Sequence, residues 1–225
     1  MKYLVLLVLG ACASYHPQFN VQKGMPYKSF AEEFGGHGEC VNISTHKFCK
    51  WEFKTSIYHF QNDAFESRVE FPTDSQGYQV NSQCRSSEEK FKKVFVESGN
   101  RNLSMKSLDW KMTYPQIEKV LKLAGLELAD KSTTKQGLKL NFGLEETVKN
   151  NARRFLNISG ENNGEEVWSS SVSSIGESHD FDRILPILLV ASYDCIEQPT
   201  NRTISKVINE KDLSVVAMKH LLEKQ

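Results

Sequence analysis

The stretch Lys50-Trp-Glu-Phe-Lys-Thr-Ser-Ile-Tyr-His59 decides the fold class of the N-terminal half. Its odd-numbered positions, from Trp51 to Ile57, carry aromatic or β-branched side chains, and charged or hydroxyl side chains lie between them. This period of two predicts a half-buried β-strand. Residues 65–71 and 93–96 predict further strands, and the polar cluster at 74–77 predicts a turn.

The C-terminal half shows the periodicity of helices. Thr113 and Gln116 form a capping box, and apolar residues follow at the three- and four-residue spacing of a helix face up to residue 124. Gly125 then suits a helix C-cap, so a helix is predicted over 113–124. Apolar stripes predict two more helices, at 144–155 and 213–221.

The remaining C-terminal segments lack a helical stripe. The composition of 157–166 and of the serine-rich 169–174 predicts loops, and the apolar run 187–196 predicts a buried strand that carries Cys195. Together these elements predict an α+β fold, with an antiparallel sheet in the N-terminal half and helices in the C-terminal half.

The N-terminus has the layout of a secretory signal peptide. A positive start at Lys2 precedes the apolar run 3–9, and Ala11-Cys12-Ala13 offers a small-residue cleavage site. This pattern predicts a signal peptide over 1–13 and a single secreted α+β domain over 14–225. The protein would be extracellular or lie in the endolysosomal lumen. An alternative is a bacterial lipoprotein anchored at Cys12, because the preceding residues also fit a lipoprotein site.

The cysteine count agrees with an oxidising compartment. Four cysteines follow the leader: Cys40, Cys49, Cys84 and Cys195. An even number in a secreted chain predicts two disulfides. Three pairings are open to four cysteines. Pairing the near neighbours Cys40 and Cys49 would leave Cys84 and Cys195 to tie the two halves of the chain together.

Four acceptor motifs for N-glycosylation favour a eukaryotic secreted glycoprotein. Each has the form Asn-x-Ser or Asn-x-Thr, and they begin at Asn42, Asn102, Asn157 and Asn201. Because a glycan cannot be buried, we expect these four positions to mark surface loops.

Composition excludes several functional classes. The chain has 225 residues, and 28 Lys and Arg balance 28 Asp and Glu, so no net charge draws it to nucleic acid or to an anionic membrane. The apolar run 184–191 is too short to span a bilayer. No phosphate loop, dinucleotide fingerprint or Cys-x-x-Cys metal pattern occurs, so we expect no cofactor. The expected partner is an extracellular ligand or protein.

One segment, Phe30-Ala-Glu-Glu-Phe-Gly-Gly-His-Gly-Glu-Cys40, concentrates chemically useful side chains. Glu33 and His37 are four residues apart, so a helical turn would place both on one face. A carboxylate beside an imidazole raises the imidazole pKa and orients its protons, which suits general acid or base catalysis.

This segment resembles one of the two active-site segments of the T2 ribonuclease family. The resemblance covers residues 29–60, and the positions in register are Phe30, Glu33, Phe34, His37, Gly38 and Cys40. It implies that His37 acts as a general acid or base in RNA cleavage through a 2′,3′-cyclic phosphate, with Glu33 supporting the phosphate or the imidazole. It also implies a helix at 58–61.

The sequence departs from that family in three places. Gly36 occupies the position of the family's phosphate-binding lysine, and Glu32 that of an upstream histidine. The other active-site segment, a His-Gly-Leu-Trp-Pro-like string, does not occur in the sequence. Since this cleavage needs both a base and an acid, a degenerate relative is one reading. The leading hypothesis is therefore a non-catalytic binding glycoprotein. A T2-type endoribonuclease relative, with RNA as its partner, and a hydrolase of another type are the alternatives.

Overall fold

The N-terminal half forms a four-stranded antiparallel sheet. The computed structural model describes residues 21–52, 55–86, 91–99, 110–146, 151–176, 181–197 and 200–223. The strands of this sheet are β1 (Glu39–Ile43), β2 (His46–Lys50), β3 (Ser56–Gln61) and β4 (Ala64–Glu70), and they pair in chain order. The predicted N-terminal antiparallel sheet is thereby confirmed, including the strand expected near 65–71.

A second, seven-stranded sheet runs through the rest of the chain. Its strands are β5 (Gly77–Ser86), β6 (Lys93–Ser98), β7 (Glu127–Leu128), β8 (Gln136–Glu146), β9 (Ala152–Asn162), β10 (Glu165–Gly176) and β11 (Arg202–Asn209). Their order is β11-β5-β10-β9-β8-β6-β7. β6 runs parallel to β7 and β8, and the other pairs are antiparallel.

Four helices cover these sheets within the described ranges. They are α1 (Tyr27–Glu33), α2 (Trp110–Leu123), α3 (Phe181–Glu197) and α4 (Leu213–Glu223). α3 lies on β9 and β10, and it also contacts α2 and α4. α4 reaches from α3 to β1 and β2, so it connects the two sheets. None of these helices is long and apolar enough to cross a membrane.

The four-stranded sheet is covered on both faces. Tyr58 and Phe60 of β3 pack with Phe30 of α1, whereas Ile57 belongs to the core cluster that contains α3 and α4. Residues 56–60 are therefore all buried. The predicted half-buried strand over 50–59 was wrong in its bounds and its exposure, because a strand covered on both faces has no solvent side. The helix that the ribonuclease resemblance implies at 58–61 is instead the end of β3.

Several predictions for the C-terminal half also need correction. The helix predicted over 144–155 includes the end of β8 and the start of β9. The loop predicted at 157–166 is the end of β9, a turn at 163–164 and the start of β10, and the loop predicted at 169–174 lies within β10. The strand predicted at 187–196 is part of helix α3. The helix at 213–221 is confirmed as α4.

The helix predicted over 113–124 exists, but it is displaced at its start. α2 is helical from Trp110, so Thr113 lies within the helix and is buried instead of capping it. Gly125 follows the helix with φ of 84°, as a C-cap glycine does, and the Leu126 amide donates to the Leu121 carbonyl. The C-cap prediction was correct.

Two disulfides join the parts of this α+β fold. Cys40–Cys49 links the directly opposed positions of β1 and β2, with the Cα atoms 4.2 Å apart. Cys84–Cys195 ties β5 to α3 and closes a sequence separation of 111 residues. Of the three possible pairings of the four cysteines, the structure contains the one in which the near neighbours Cys40 and Cys49 are bonded to each other.

Candidate functional site

Helix α1 ends before the predicted histidine. Phe34 is its C-cap, and Gly35 and Gly36 follow with φ of 82° and 129°. These values lie in the region that glycine adopts without steric cost, so the chain turns away from the helix axis here. His37 therefore does not share a helical turn with Glu33. Both side chains are exposed, and Glu33 is the last residue of α1.

Tyr27 is the residue that contacts His37. Its phenol oxygen lies 3.2 Å from Nδ1 of His37, and the two rings stack with centroids 5.9 Å apart. The same phenol lies 3.6 Å from Sγ of Cys40, and the ammonium of Lys47 lies 4.1 Å from the centre of the tyrosine ring. The phenol thus fixes the imidazole and leaves Nε2 as the nitrogen that can meet a ligand. Sequence reasoning missed Tyr27, since it lies ten residues from His37 without a linking motif.

Trp51 holds the glycine loop in place. Its indole N–H donates to the carbonyl of Gly36 at 2.8 Å. A side chain at Gly38 would put its Cβ 2.5 Å from the Lys50 carbonyl oxygen and 2.9 Å from the indole, so only glycine fits. Close packing therefore requires glycine at position 38, whereas at position 36 the φ of 129° favours it.

An open cleft of about 740 Å³ lies beside this loop. Three rings and four ionisable side chains line it, namely Phe34, Trp51 and Phe71, and His37, Glu39, Lys50 and Glu52. Lys50 and Glu39 form an ion pair at 2.9 Å. The lining is therefore amphipathic, with apolar rings beside charges that partly neutralise one another.

A buried aromatic cluster supports the cleft from beneath. Phe30 is fully buried, and its ring centroid lies 4.3 Å from that of Phe34, 5.3 Å from that of Trp51 and 4.9 Å from that of Tyr58. Burial in this cluster raises the pKa of the Tyr58 phenol, and the nearby Arg68 partly opposes the rise. The phenol stays protonated and neutral, so the base of the cleft is rigid and apolar.

The cleft contains one imidazole among the residues that the structure describes. His46, His59 and His220 lie together elsewhere, around the face of the four-stranded sheet that meets α4. No described contact links Glu33 to His37. The predicted pair is thus near the cleft but not assembled as an acid and base. Across the described ranges, no three His, Cys, Asp or Glu side chains are placed to share a metal ion.

Three of the four predicted glycosylation positions lie in described segments. Asn42 is exposed on β1, and Asn201 is exposed just before β11. Asn157 is half-buried in the middle of β9, where its side-chain oxygen accepts a hydrogen bond from the Ser171 hydroxyl at 2.7 Å. Asn102 lies outside the described residues, as does the predicted leader over 1–13 with Cys12. Two of the positions expected in loops are thus in strands.

Comparison with known proteins assigns no family. No protein-family model matches the chain, and no curated protein matches it. Similar solved structures include the PelC dodecamer from Paraburkholderia phytofirmans, at 12% identity over 57% of this chain and 100% of that chain, with a TM-score of 0.37. A PDZ domain protein from Parabacteroides distasonis is 8% identical over 73% of this chain and 50% of that chain, with a TM-score of 0.38.

A third similar structure is a minor lipoprotein from Acinetobacter baumannii. It is 12% identical over 59% of this chain and 93% of that chain, with a TM-score of 0.22. Likenesses this partial establish neither a shared fold nor a shared function.

Proposed function

We propose that this protein is a secreted, disulfide-bonded, non-catalytic binding glycoprotein that holds a segment of an extracellular protein in the cleft beside His37. The composition of the cleft carries the proposal. Rings of Phe34 and Trp51 can pack against apolar side chains, and Glu52 and the Lys50–Glu39 pair can meet charged ones. The two disulfides support an oxidising compartment, because such bonds persist mainly outside the cytosol.

The contacts of His37 support binding over catalysis. Cleavage of a phosphodiester by an acid and a base needs two poised groups. The described residues bring His37 together with the Tyr27 phenol, while the other described histidines lie across the sheet. A histidine held by a phenol is well suited to donate or accept one hydrogen bond with a ligand.

Peptide selection tests the binding proposal. A phage-displayed random-peptide library is selected on immobilised wild-type protein and then tested on Glu52→Lys, which reverses an exposed charge in the cleft. We expect the selected peptides to lose at least tenfold in affinity for Glu52→Lys. Glu165→Lys makes the same change at an exposed position at the start of β10 and should leave binding unchanged. Equal binding to wild type and both variants would reject the cleft as the site.

The second candidate is an active T2-type ribonuclease, favoured by the one observation that exposed His37 lines the cleft. Cleavage of fluorescently labelled single-stranded RNA is measured at pH 5.0 and 7.5 for wild type and His37→Ala. Our proposal expects no cleavage above that of His37→Ala. Cleavage by wild type that His37→Ala abolishes would establish the ribonuclease and overturn the non-catalytic function.

A further inference from the structure

A chain of three imidazoles and one hydroxyl crosses the contact between the four-stranded sheet and α4. Nδ1 of His46 on β2 lies 2.9 Å from Nε2 of His59 on β3. Nδ1 of His59 lies 3.3 Å from Oγ of Ser67 on β4, and that oxygen lies 3.4 Å from Nε2 of His220 on α4. Three strands and one helix are thus joined through one polar chain.

The centre of this chain is shielded from solvent. His59 is 1% exposed, and its ring stacks on that of Phe48 with centroids 4.4 Å apart and planes 8° from parallel. The His59 ring also meets the ring of His220 edge to face at 5.4 Å. His46, Ser67 and His220 are half-buried. A positive charge on one of these imidazoles is therefore poorly solvated and lies close to the other imidazoles.

When all three histidines are neutral, one hydrogen can lie in each of the three contacts of this polar chain. His46 donates from Nδ1 to His59, His59 donates from Nδ1 to Ser67, and the Ser67 hydroxyl donates to His220. One added proton is also accommodated, because a doubly protonated His59 can donate to His46 and to Ser67 at once. A second added proton either places two hydrogens between His46 and His59 or makes His220 a donor to Ser67, so that His220 no longer accepts from the Ser67 hydroxyl. It also brings two positive charges into one cluster.

The charged groups on the surrounding elements make contacts of their own. Lys47 on β2 pairs with Asp63, and Glu66 on β4 pairs with Lys23. Lys50 on β2 pairs with Glu39 on β1, and Tyr58 on β3 packs against Phe30 in the aromatic cluster. Arg68 on β4 donates to Ser56, and Glu70 and Glu223 are exposed at the ends of β4 and α4. Lys219 on α4 lies near Glu210, and the Tyr193 hydroxyl on α3 accepts from the Ser44 amide.

We propose that His46, His59, Ser67 and His220 form a proton-sensitive lock that fastens α4 to the four-stranded sheet at neutral pH and loosens it in mild acid. An unfolded chain protonates all three histidines below about pH 6.5. The folded cluster holds one added proton. Release of α4 frees His220 while His46 and His59 stay paired on the sheet, so it takes up one proton. The opening constant of α4 therefore rises up to about tenfold for each pH unit below that point.

The loosening is confined to one part of the molecule. α3 is tied to β5 by the Cys84–Cys195 disulfide, which does not titrate. α4 has no such bond among the described contacts, and among the four described helices it is the one that brings a histidine to the sheet. Acid should therefore release α4 while α2 and α3 remain folded. This proposal does not depend on the cleft at His37 or on what binds there.

Hydrogen exchange read by mass spectrometry tests the lock in the full-length, oxidised protein. Exchange is measured at pH 7.5 and 5.5, with labelling times scaled for the intrinsic rate at each pH. In wild type, we expect protection of α4 to fall about tenfold at pH 5.5, while that of α2 changes less than threefold. In His220→Gln, which keeps a hydrogen-bonding side chain but cannot titrate, the fall in α4 should shrink to threefold or less. His37→Gln removes an exposed histidine outside the lock and should behave as wild type.

Two results would overturn the lock. The first is equal protection of α4 at both pH values in wild type. The second is a His220→Gln variant that is weakened by one factor at both values, so that its pH ratio equals that of wild type; the histidine would then be structural only. Ring-nitrogen NMR of histidine-labelled protein gives an independent count. One of the three rings should gain a proton in the folded state above pH 5.5, and titration of all three would reject the proposal.

Discussion

Arg183 and Glu210 form a two-point ion pair that joins α3 to the turn before α4. Nε of Arg183 lies 2.6 Å from Oε1 of Glu210, and Nη2 lies 2.8 Å from Oε2. Oε2 also accepts the backbone N–H of Gln76 at 2.9 Å. The glutamate side chain is 5% exposed and the arginine side chain is 41% exposed, so only the glutamate of the pair is buried.

Replacing Glu210 with glutamine should destabilise the protein. The amide keeps the size of the side chain but loses the charge that binds the guanidinium and the Gln76 amide. We expect the free energy of unfolding to fall by about 1–3 kcal/mol, below the value for a fully buried pair because Arg183 stays partly solvated. Urea unfolding followed by circular dichroism measures it. Glu118→Gln, which breaks the exposed pair with Lys122 on α2, should cost less than about 0.5 kcal/mol, and equal losses would contradict the argument.

The same pair predicts a loss of stability in acid. The hydrogen bonds from Arg183 lower the pKa of Glu210 below its ordinary value of 4.5, and the Gln76 amide adds to this although burial opposes it. A carboxyl with a lowered pKa stabilises the folded state fully above its unfolded pKa, and this contribution disappears as the pH falls through the folded pKa. Wild type should therefore lose stability between about pH 5 and 3 more steeply than Glu210→Gln.

Urea midpoints measured at several pH values check this expectation. The two curves should converge as the pH falls, since protonated Glu210 resembles glutamine. Glu165→Gln changes an exposed carboxyl and should follow the wild-type curve. Parallel curves for wild type and Glu210→Gln would show that this carboxyl does not contribute to acid unfolding.

The sequence predicted the elements whose apolar residues recur at the spacing of a helix or a strand. α4 and the strand at 65–71 were found because polar and apolar residues separate along them. Part of α3 was mistaken for a strand because residues 187–191 form an unbroken apolar run, and all five are buried. Periodicity alone cannot distinguish a short apolar helix from a buried strand.

β10 was missed for the opposite reason. Its residues 169–171, 173 and 174 are all serines, so the inward and outward positions look alike in the sequence. In the structure, Ser170 and Ser174 are buried against the helical layer, and Ser169 and Ser171 lie on the outer face. Small buried residues let α3 approach the strand closely. The histidine chain was equally hidden, because its members come from four separate elements with no shared motif.

The two disulfides should contribute unequally to stability. Cys84–Cys195 closes a separation of 111 residues, and Cys40–Cys49 closes one of 9. On the chain-entropy model, removing the first costs about 5 kcal/mol and removing the second about 2–3 kcal/mol. The paired variants Cys84→Ala/Cys195→Ala and Cys40→Ala/Cys49→Ala, unfolded in guanidinium chloride, give both values. A larger loss from the short loop would show that constraint of the unfolded chain is not the main contribution.

Ser170 offers a substitution that should stabilise the fold. It is 0% exposed on the face of β10 that meets α3, and its Oγ finds no hydrogen-bond partner among the described residues. Removing a buried hydroxyl that has no partner recovers its desolvation cost, so Ser170→Ala should raise the free energy of unfolding by up to about 1 kcal/mol. Ser171→Ala is the matched control, because its hydroxyl donates to Asn157 and its loss should cost about 0.5–1 kcal/mol. Urea unfolding of both variants measures the two effects. If Ser170→Ala instead lowers stability as Ser171→Ala does, the buried hydroxyl has a partner in the folded protein and the close packing of α3 on β10 is not purely steric.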